Sequence, residues 1–192
     1  DVLAFIDLSL TKLFAQSLAL AVDYRWLREG LVEVYAVKQT QISALESWAA
    51  VCKPRLKCIE PQSMALARLL LQRGPAKRAI LHSRAGQLTW LVATNRQLLV
   101  CQQIDGNLLP CREIVLDSIL PQANQHHLDV IQVSGDVPRP LVQLLSEHFE
   151  LVNVEPFKSS ESERGQFSVA LGLAMGQMRS GADRTHRINF LP

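Results

Sequence analysis

The first third of the chain consists of short apolar runs alternating with amphipathic stretches. Residues 2–8, VLAFIDL, are apolar and partly β-branched, which predicts a strand, and the alternation within residues 11–20 predicts a second one. Residues 22–30, VDYRWLREG, end in a glycine suited to a left-handed cap, which predicts a short helix. Leu31–Lys38 is rich in β-branched and aromatic residues and predicts a further strand.

Helical spacing then dominates up to residue 74. Residues 40–52 predict a helix that is capped by Thr40, and residues 56–61 predict a short strand. Residues 61–74 predict a second helix, with a proline near its start and a glycine at its end. The apolar faces expected on these two helices are Ile42, Leu45, Trp48, Ala49 and Cys52, and then Leu66, Leu69 and Leu70.

From residue 79 the pattern changes to a period of two. Residues 79–104 contain three strand-like runs separated by the turn segments RAGQ and TNRQ, which predicts an antiparallel meander. DGN at 105–107 is a further turn signal, and residues 112–123 predict a helix.

The last third returns to alternating strands and helices. Residues 128–136 predict a buried strand that ends at Gly135, and residues 150–157 predict another. The helix predicted between them places Leu141, Leu144, Leu145 and His148 on one face. Residues 167–178 are apolar on nearly all sides and predict a buried helix with small residues along it. The class predicted is therefore α/β with a mixed sheet.

Composition and charge exclude several classes of function. Apolar residues make up 48% of the 192 residues and charged residues 20%, so the chain can bury a core. A net charge of +2, without a basic run, does not favour nucleic acid. The longest uncharged run, residues 13–22, is about half a bilayer span. The spacing of Cys52, Cys58, Cys101 and Cys111 matches no zinc motif, and reduced thiols are favoured over disulfides.

Candidate chemistry is sparse. No nucleophile elbow, tuned carboxylate pair or phosphate-binding loop occurs, so no catalytic residue and no metal are predicted. His126 and His127 are expected to be a solvated pair, and His82 and His148 partly buried and hydrogen-bonded. The turn at Gly135 is compatible with a degenerate nucleotide contact or with an ordinary strand-to-helix turn.

The chain ends in an apolar hexapeptide, RINFLP, after the polar stretch 179–186. It is either a terminal remnant or a short docking motif, since extended peptides dock through main-chain bonds and side-chain pockets. As a motif, Ile188, Phe190 and Leu191 would be apolar anchors and Asn189 would bond to backbone. Arg187 begins the motif, and Pro192 would stiffen its end.

Three stretches in order resemble PilM-type pilus assembly proteins, which have the actin/FtsA-like fold. They are CIEPQSMALARLL, VSGDVPRPLVQLLSEHFELVNVEPF and FSVALGLAMGQ. RINFLP is in turn similar to the INLLP peptide of PilN-type partners. At the position of the family's acidic phosphate turn this chain has His82 and Arg84, and it keeps only Gly135 of a glycine pair.

The resemblance implies an actin/FtsA-like lobe with a mixed sheet and a small α/β subdomain. It divides the chain into a subdomain at 1–60, a second lobe at 61–178, a linker at 179–186 and a docking peptide at 187–192, an arrangement like an MshI-type fusion.

The resemblance also implies a scaffold of type IV pilus or secretion machinery at the cytoplasmic face of the bacterial inner membrane, without a cofactor. Its partner would be a PilN-type protein or peptide, bound in cis, in trans or by exchange between two copies. Membrane contact would come only through the partner or a downstream segment. A nucleotide-dependent ATPase or kinase and an FtsA-like cell-division scaffold are the alternatives.

Overall fold

The chain divides into two compact units, Asp1–Pro61 with Gly181–Pro192, and Gln62–Ser180. A computed structural model describes residues 2–13, 19–28, 31–52, 58–70, 77–94, 98–153, 169–170, 173–174 and 189–190. The proposed linker at 179–186 lies outside these residues.

The first unit contains a β-hairpin between two helices. Its elements are α1 (Val2–Leu13), β1 (Leu20–Arg28), β2 (Leu31–Lys38) and α2 (Gln39–Cys52). The two strands pair antiparallel, from Leu20 opposite Lys38 to Arg28 opposite Leu31, with an irregularity after Trp26.

Three of the sequence predictions for this unit are wrong in type. A strand was predicted at residues 11–20, but residues 11–13 belong to α1 and residues 14–18 lie outside the described residues. Residues 2–8 are helical, within α1, where leucine and alanine outweigh the few β-branched residues. Residues 22–28 form most of β1 instead of a helix. The apolar positions Val22, Tyr24 and Trp26 alternate with Asp23 and Arg25, so the period of two prevails over the helix-ending glycine signal.

The remaining predictions for this unit are partly confirmed. β2 and α2 form as expected, but α2 begins at Gln39, so that Thr40 lies within the helix and does not cap it. Residues 58–61 are not a strand. In α2 only Ile42 and Ala49 of the predicted face are buried, whereas Leu45, Trp48 and Cys52 are exposed.

The second unit begins with α3 (Gln62–Leu70) and contains a five-stranded sheet. Its strands are β3 (Arg78–Arg84), β4 (Gln87–Ala93), β5 (Leu98–Asp105), β6 (Val130–Gly135) and β7 (Glu150–Asn153). A continuous helical run consists of α4 (Cys111–Glu113), a π-helical segment (Ile114–Ile119) and α5 (Leu120–His126). Between β6 and β7 lies α6 (Arg139–Ser146).

The sheet has the order β5-β4-β3-β6-β7. β5, β4 and β3 are antiparallel neighbours, which confirms the predicted meander. β3, β6 and β7 are parallel, so the sheet is mixed. The carboxyl ends of β3 and β6 therefore lie side by side, the edge at which open α/β sheets bind ligands.

Apolar side chains cover both faces of this sheet. One face joins Trp90 and Val133 to Ile114 and Ile119 of the π-helical segment and to Leu141 and Leu145 of α6. The opposite face joins Ile80 and Leu91 to the α3 side chains Leu66, Leu69 and Leu70, as the spacing of the leucines predicted.

Two predictions for the second unit need correction. His148 was expected to be partly buried on the face of a helix, but it is exposed. The reason is that α6 ends at Ser146, so His148 lies in the turn that follows and not on the helix. Residues 169–170 and 173–174 are helical as expected, yet Ala170, Leu173 and Ala174 are exposed, so the helix is not buried on all sides. In the part of the chain that the structure describes, no helix is long and apolar enough to span a membrane.

Candidate peptide-docking site

Within the first unit, the terminal residues Asn189 and Phe190 are hydrogen-bonded to Ile59. The backbone N–H of Phe190 donates to the Ile59 carbonyl at 2.9 Å, and the Ile59 N–H donates to Asn189 Oδ1 at 3.1 Å. Both backbone groups of Ile59 are thus bonded to the terminal peptide. Its carbonyl accepts from the peptide main chain at Phe190, and its N–H donates to the peptide side chain of Asn189. Because residues 58–61 are not a strand, the peptide is docked on an irregular segment, through one main-chain and one side-chain bond.

A second anchor comes from β1. The backbone N–H of Asn189 donates to Asp23 Oδ2 at 2.7 Å, a charge-assisted hydrogen bond. Asp23 Oδ1 accepts the N–H of Tyr24 at 2.8 Å, which orients the carboxylate. We call Asp23 and Ile59 together the peptide site. The side chains of Asn189 and Phe190 are half-buried there.

The structure describes two of the six predicted docking residues, Asn189 and Phe190. The predictions for Arg187, Ile188, Leu191 and Pro192 lie outside the described residues. Sequence reasoning missed Asp23 because it assigned residues 22–30 to a helix. The strict alternation around Asp23 was the signal that could have placed this carboxylate on one face of a strand.

The other sequence candidate, Gly135, lies where β6 ends beside β3. Its φ is +79°, and a Cβ there would lie 1.9 Å from the carbonyl oxygen of Ser83. The N–H of Asp136 also donates to that carbonyl, at 3.1 Å. Close approach of two parallel strands is therefore a sufficient reason for glycine at this position.

Beside Gly135, a buried polar pair crosses the same two strands. His82 Nδ1 and Ser134 Oγ are 2.8 Å apart, which confirms the hydrogen bond predicted for His82. Both residues are buried, so His82 is more deeply buried than predicted. Nε2 of His82 has no hydrogen-bond partner among the described residues. Burial lowers the pKa of His82, and Arg84 acts in the same direction, while the Asp136 carboxylate opposes both. The neutral ring is therefore favoured.

The turn between β3 and β4 is bonded to a carboxylate of the chain itself. Ala85 and Gly86 have φ values of +51° and +80°, and the Ala85 N–H donates to Asp136 Oδ2 at 3.1 Å. Asp136 thus connects the end of β6 to this hairpin.

Residues that could hold a metal are not grouped. Within the described ranges no cluster of three or more His, Cys, Asp or Glu is placed to bind an ion. His127 has a positive φ of 54° and caps α5, so the histidine pair belongs to a helix end. Burial is the main cause that lowers the pKa of His126, and the charges of Lys77 and His127 act in the same direction. All four cysteines are reduced thiols.

Comparison with known proteins adds the fold family. No family model and no curated protein sequence matches this chain. A Bacteroides thetaiotaomicron protein with an actin-like ATPase fold and unknown function superposes with a TM-score of 0.56 at 13% identity, over 88% of this chain. The chain spans 64% of the length of that protein.

A second solved structure is the PilM–PilN type IV pilus biogenesis complex. It gives a TM-score of 0.67 at 16% identity, over 91% of this chain and 71% of the matched one. Identities this low establish the fold alone. The chain therefore has an actin-like fold built around a mixed sheet, which confirms the fold class predicted from the sequence.

Proposed function

We propose that this chain is an actin-like scaffold of type IV pilus or related secretion machinery, and that it works by binding a peptide of the INFLP type. The observation that carries the proposal is the bonding of Asn189 and Phe190 to Asp23 and Ile59. The likeness to a PilM–PilN type IV pilus biogenesis complex supports a PilN-type partner, because that structure is a complex of a PilM with a PilN protein.

In this proposal the partner is an inner-membrane assembly protein, and the chain lies at the cytoplasmic face of the bacterial inner membrane. The terminal residues 187–192 act as a PilN-like peptide on the same chain, as in an MshI-like fusion of the mannose-sensitive haemagglutinin pilus. Tethering raises the local peptide concentration to about the millimolar range, so that even a weak site is filled.

The same peptide could be delivered in cis, or by exchange between two copies in a dimer. Light scattering across a concentration series distinguishes the two. A monomer at all micromolar concentrations supports cis docking, and a dimer that dissociates when Phe190 is replaced by alanine supports exchange.

A peptide titration tests the function directly. The full chain with Phe190→Ala has a weakened tail, and we expect it to bind dye-labelled RINFLP added in solution. An RINALP peptide should bind about tenfold more weakly, because it lacks an apolar side chain that the site half-buries. A chain with Phe5→Ala is the matched control, since that phenyl ring is 71% exposed. It should bind no more labelled RINFLP than the wild-type chain does. Absence of RINFLP binding to the Phe190→Ala chain would reject the function.

The alternative is a nucleotide-dependent enzyme. The likeness to the Bacteroides protein with an actin-like ATPase fold is the observation that favours it. We propose that this chain is not an enzyme and takes no cofactor. The support is that His82 and Arg84 occupy the position of the family's acidic phosphate turn, where a carboxylate would hold a metal-bound phosphate. A thermal shift with ATP and magnesium, beside one with RINFLP, separates the two functions. Stabilisation by ATP with magnesium would favour the enzyme.

A further inference from the structure

Of the two described peptide residues, Asn189 is bonded through both its backbone N–H and its side chain, and Asp23 accepts the backbone N–H. Asp23 is half-buried on β1, opposite Tyr35 of β2. Its two oxygens accept the N–H groups of Asn189 and Tyr24, at 2.7 and 2.8 Å. The carboxylate is therefore held in one orientation and is partly shielded from water.

The Asn189 side chain makes a bond that an aspartate could also make. Its Oδ1 accepts the Ile59 N–H at 3.1 Å. Asp has the same shape as Asn, and a carboxylate accepts an N–H more strongly than an amide does. The bond to Ile59 alone therefore gives no reason to prefer asparagine.

The charge of Asp23 supplies that reason. It is bonded to the backbone nitrogen of residue 189, and standard bond lengths keep a side-chain oxygen within about 5 Å of its own nitrogen. A carboxylate at position 189 would then lie within about 8 Å of the Asp23 carboxylate. Like charges this close in a half-buried site repel each other much more strongly than in water.

We propose that Asp23 determines the specificity of the peptide site, by admitting a neutral amide and excluding a carboxylate at the position of Asn189. This inference rests on the proposed function and specifies the partner further. A peptide that competes for the site needs a backbone N–H and an uncharged acceptor side chain at that position. Proline there would lack the N–H that Asp23 accepts.

A double-mutant cycle on the full chain tests the inference. The four chains are wild type, Asn189→Asp, Asp23→Asn and the double variant, and the measurement is hydrogen exchange at the Phe190 amide, which bonds to Ile59. In the wild-type background we expect Asn189→Asp to lower protection by about tenfold. In the Asp23→Asn background the same change should cost no more than about twofold, because the repulsion is gone.

Two controls separate charge from structure. Asp129→Asn removes an exposed carboxylate in the second unit, so the effect of Asn189→Asp should stay the same in that background. Raising the salt concentration should shrink the effect only where Asp23 is present. Equal effects of Asn189→Asp in the wild-type and Asp23→Asn backgrounds would overturn the inference.

The proposed function fails by a different result. If the Phe190 amide of the wild-type chain exchanges at the rate of an unprotected peptide, and labelled RINFLP does not bind to the Phe190→Ala chain, there is no docking and the inference falls with it. If wild type is protected and Asn189→Asp is equally protected, docking stands and only the role of Asp23 is rejected.

Discussion

The backbone N–H of Ile59 donates to the side-chain oxygen of Asn189, which lies 130 residues further along the chain. The side-chain amide of Asn189 therefore recognises the backbone of Ile59, and the Ile59 side chain takes no part in that bond. This bond and the one donated by the Phe190 N–H hold Asn189 and Phe190 against Ile59.

Replacing Asn189 by alanine should undock the terminal peptide. The change removes the acceptor of a part-buried N–H, which costs about 1–3 kcal/mol. Hydrogen exchange at the Phe190 amide should accelerate roughly tenfold or more. Asn124→Ala, at an exposed position of α5, serves as the matched control and should leave this amide unchanged.

Gly135→Ala should destabilise the second unit strongly. The new Cβ would lie 1.9 Å from the Ser83 carbonyl oxygen, and φ is +79°, so β3 and β6 would have to separate. We expect a loss of about 2–4 kcal/mol in the free energy of unfolding, measured by urea denaturation. Gln143→Ala on the exposed surface of α6 should change it by less than about 0.5 kcal/mol. Wild-type stability in the Gly135→Ala chain would contradict the close approach of these strands.

The stability of the second unit should fall in mild acid because of His82. Its pKa is lowered from 6.5 in the folded state, so below pH 6.5 the unfolded chain binds a proton that the folded chain does not. Stability contributed by the neutral ring is complete above that pH and is lost as the pH falls towards the folded pKa. The slope for this one group is at most about 1.4 kcal/mol per pH unit.

Urea unfolding between pH 5 and 8 measures that slope, and His82→Gln should reduce it. The pKa of His126 is lowered too, so His126→Gln should reduce the slope as well, but by less, because that ring is only half-buried. A slope that is unchanged in His82→Gln would show that the buried ring does not control acid stability.

Leucines on α2 and α3, which are consecutive helices along the chain, should differ sharply in their contribution to stability. Leu66 of α3 is fully buried against Ile80 and Leu91, so Leu66→Ala should cost about 2–5 kcal/mol. Leu45 of α2 is 45% exposed, and Leu45→Ala should cost less than about 1 kcal/mol. Thermal unfolding of the two variants is the measurement, and similar losses would be evidence against the burial of α3.

Much of the second unit was predictable because its signals are local. Alternating apolar residues and two turn segments predict β3, β4 and β5, and the leucine spacing predicts the buried face of α3. The first unit was harder to predict, because a short apolar run such as residues 2–8 satisfies both helix and strand patterns. There the overall packing decides which one forms.

The sequence by itself determined the α/β class, the meander and the presence of an apolar terminal peptide with an asparagine at its centre. These follow from preferences that act over a few neighbouring residues. Only the tertiary structure decided that Asp23 and Ile59 hold that asparagine, and that Gly135 is needed next to Ser83. Such pairs are far apart along the chain, and their energy depends on distances that exist only once the chain has folded.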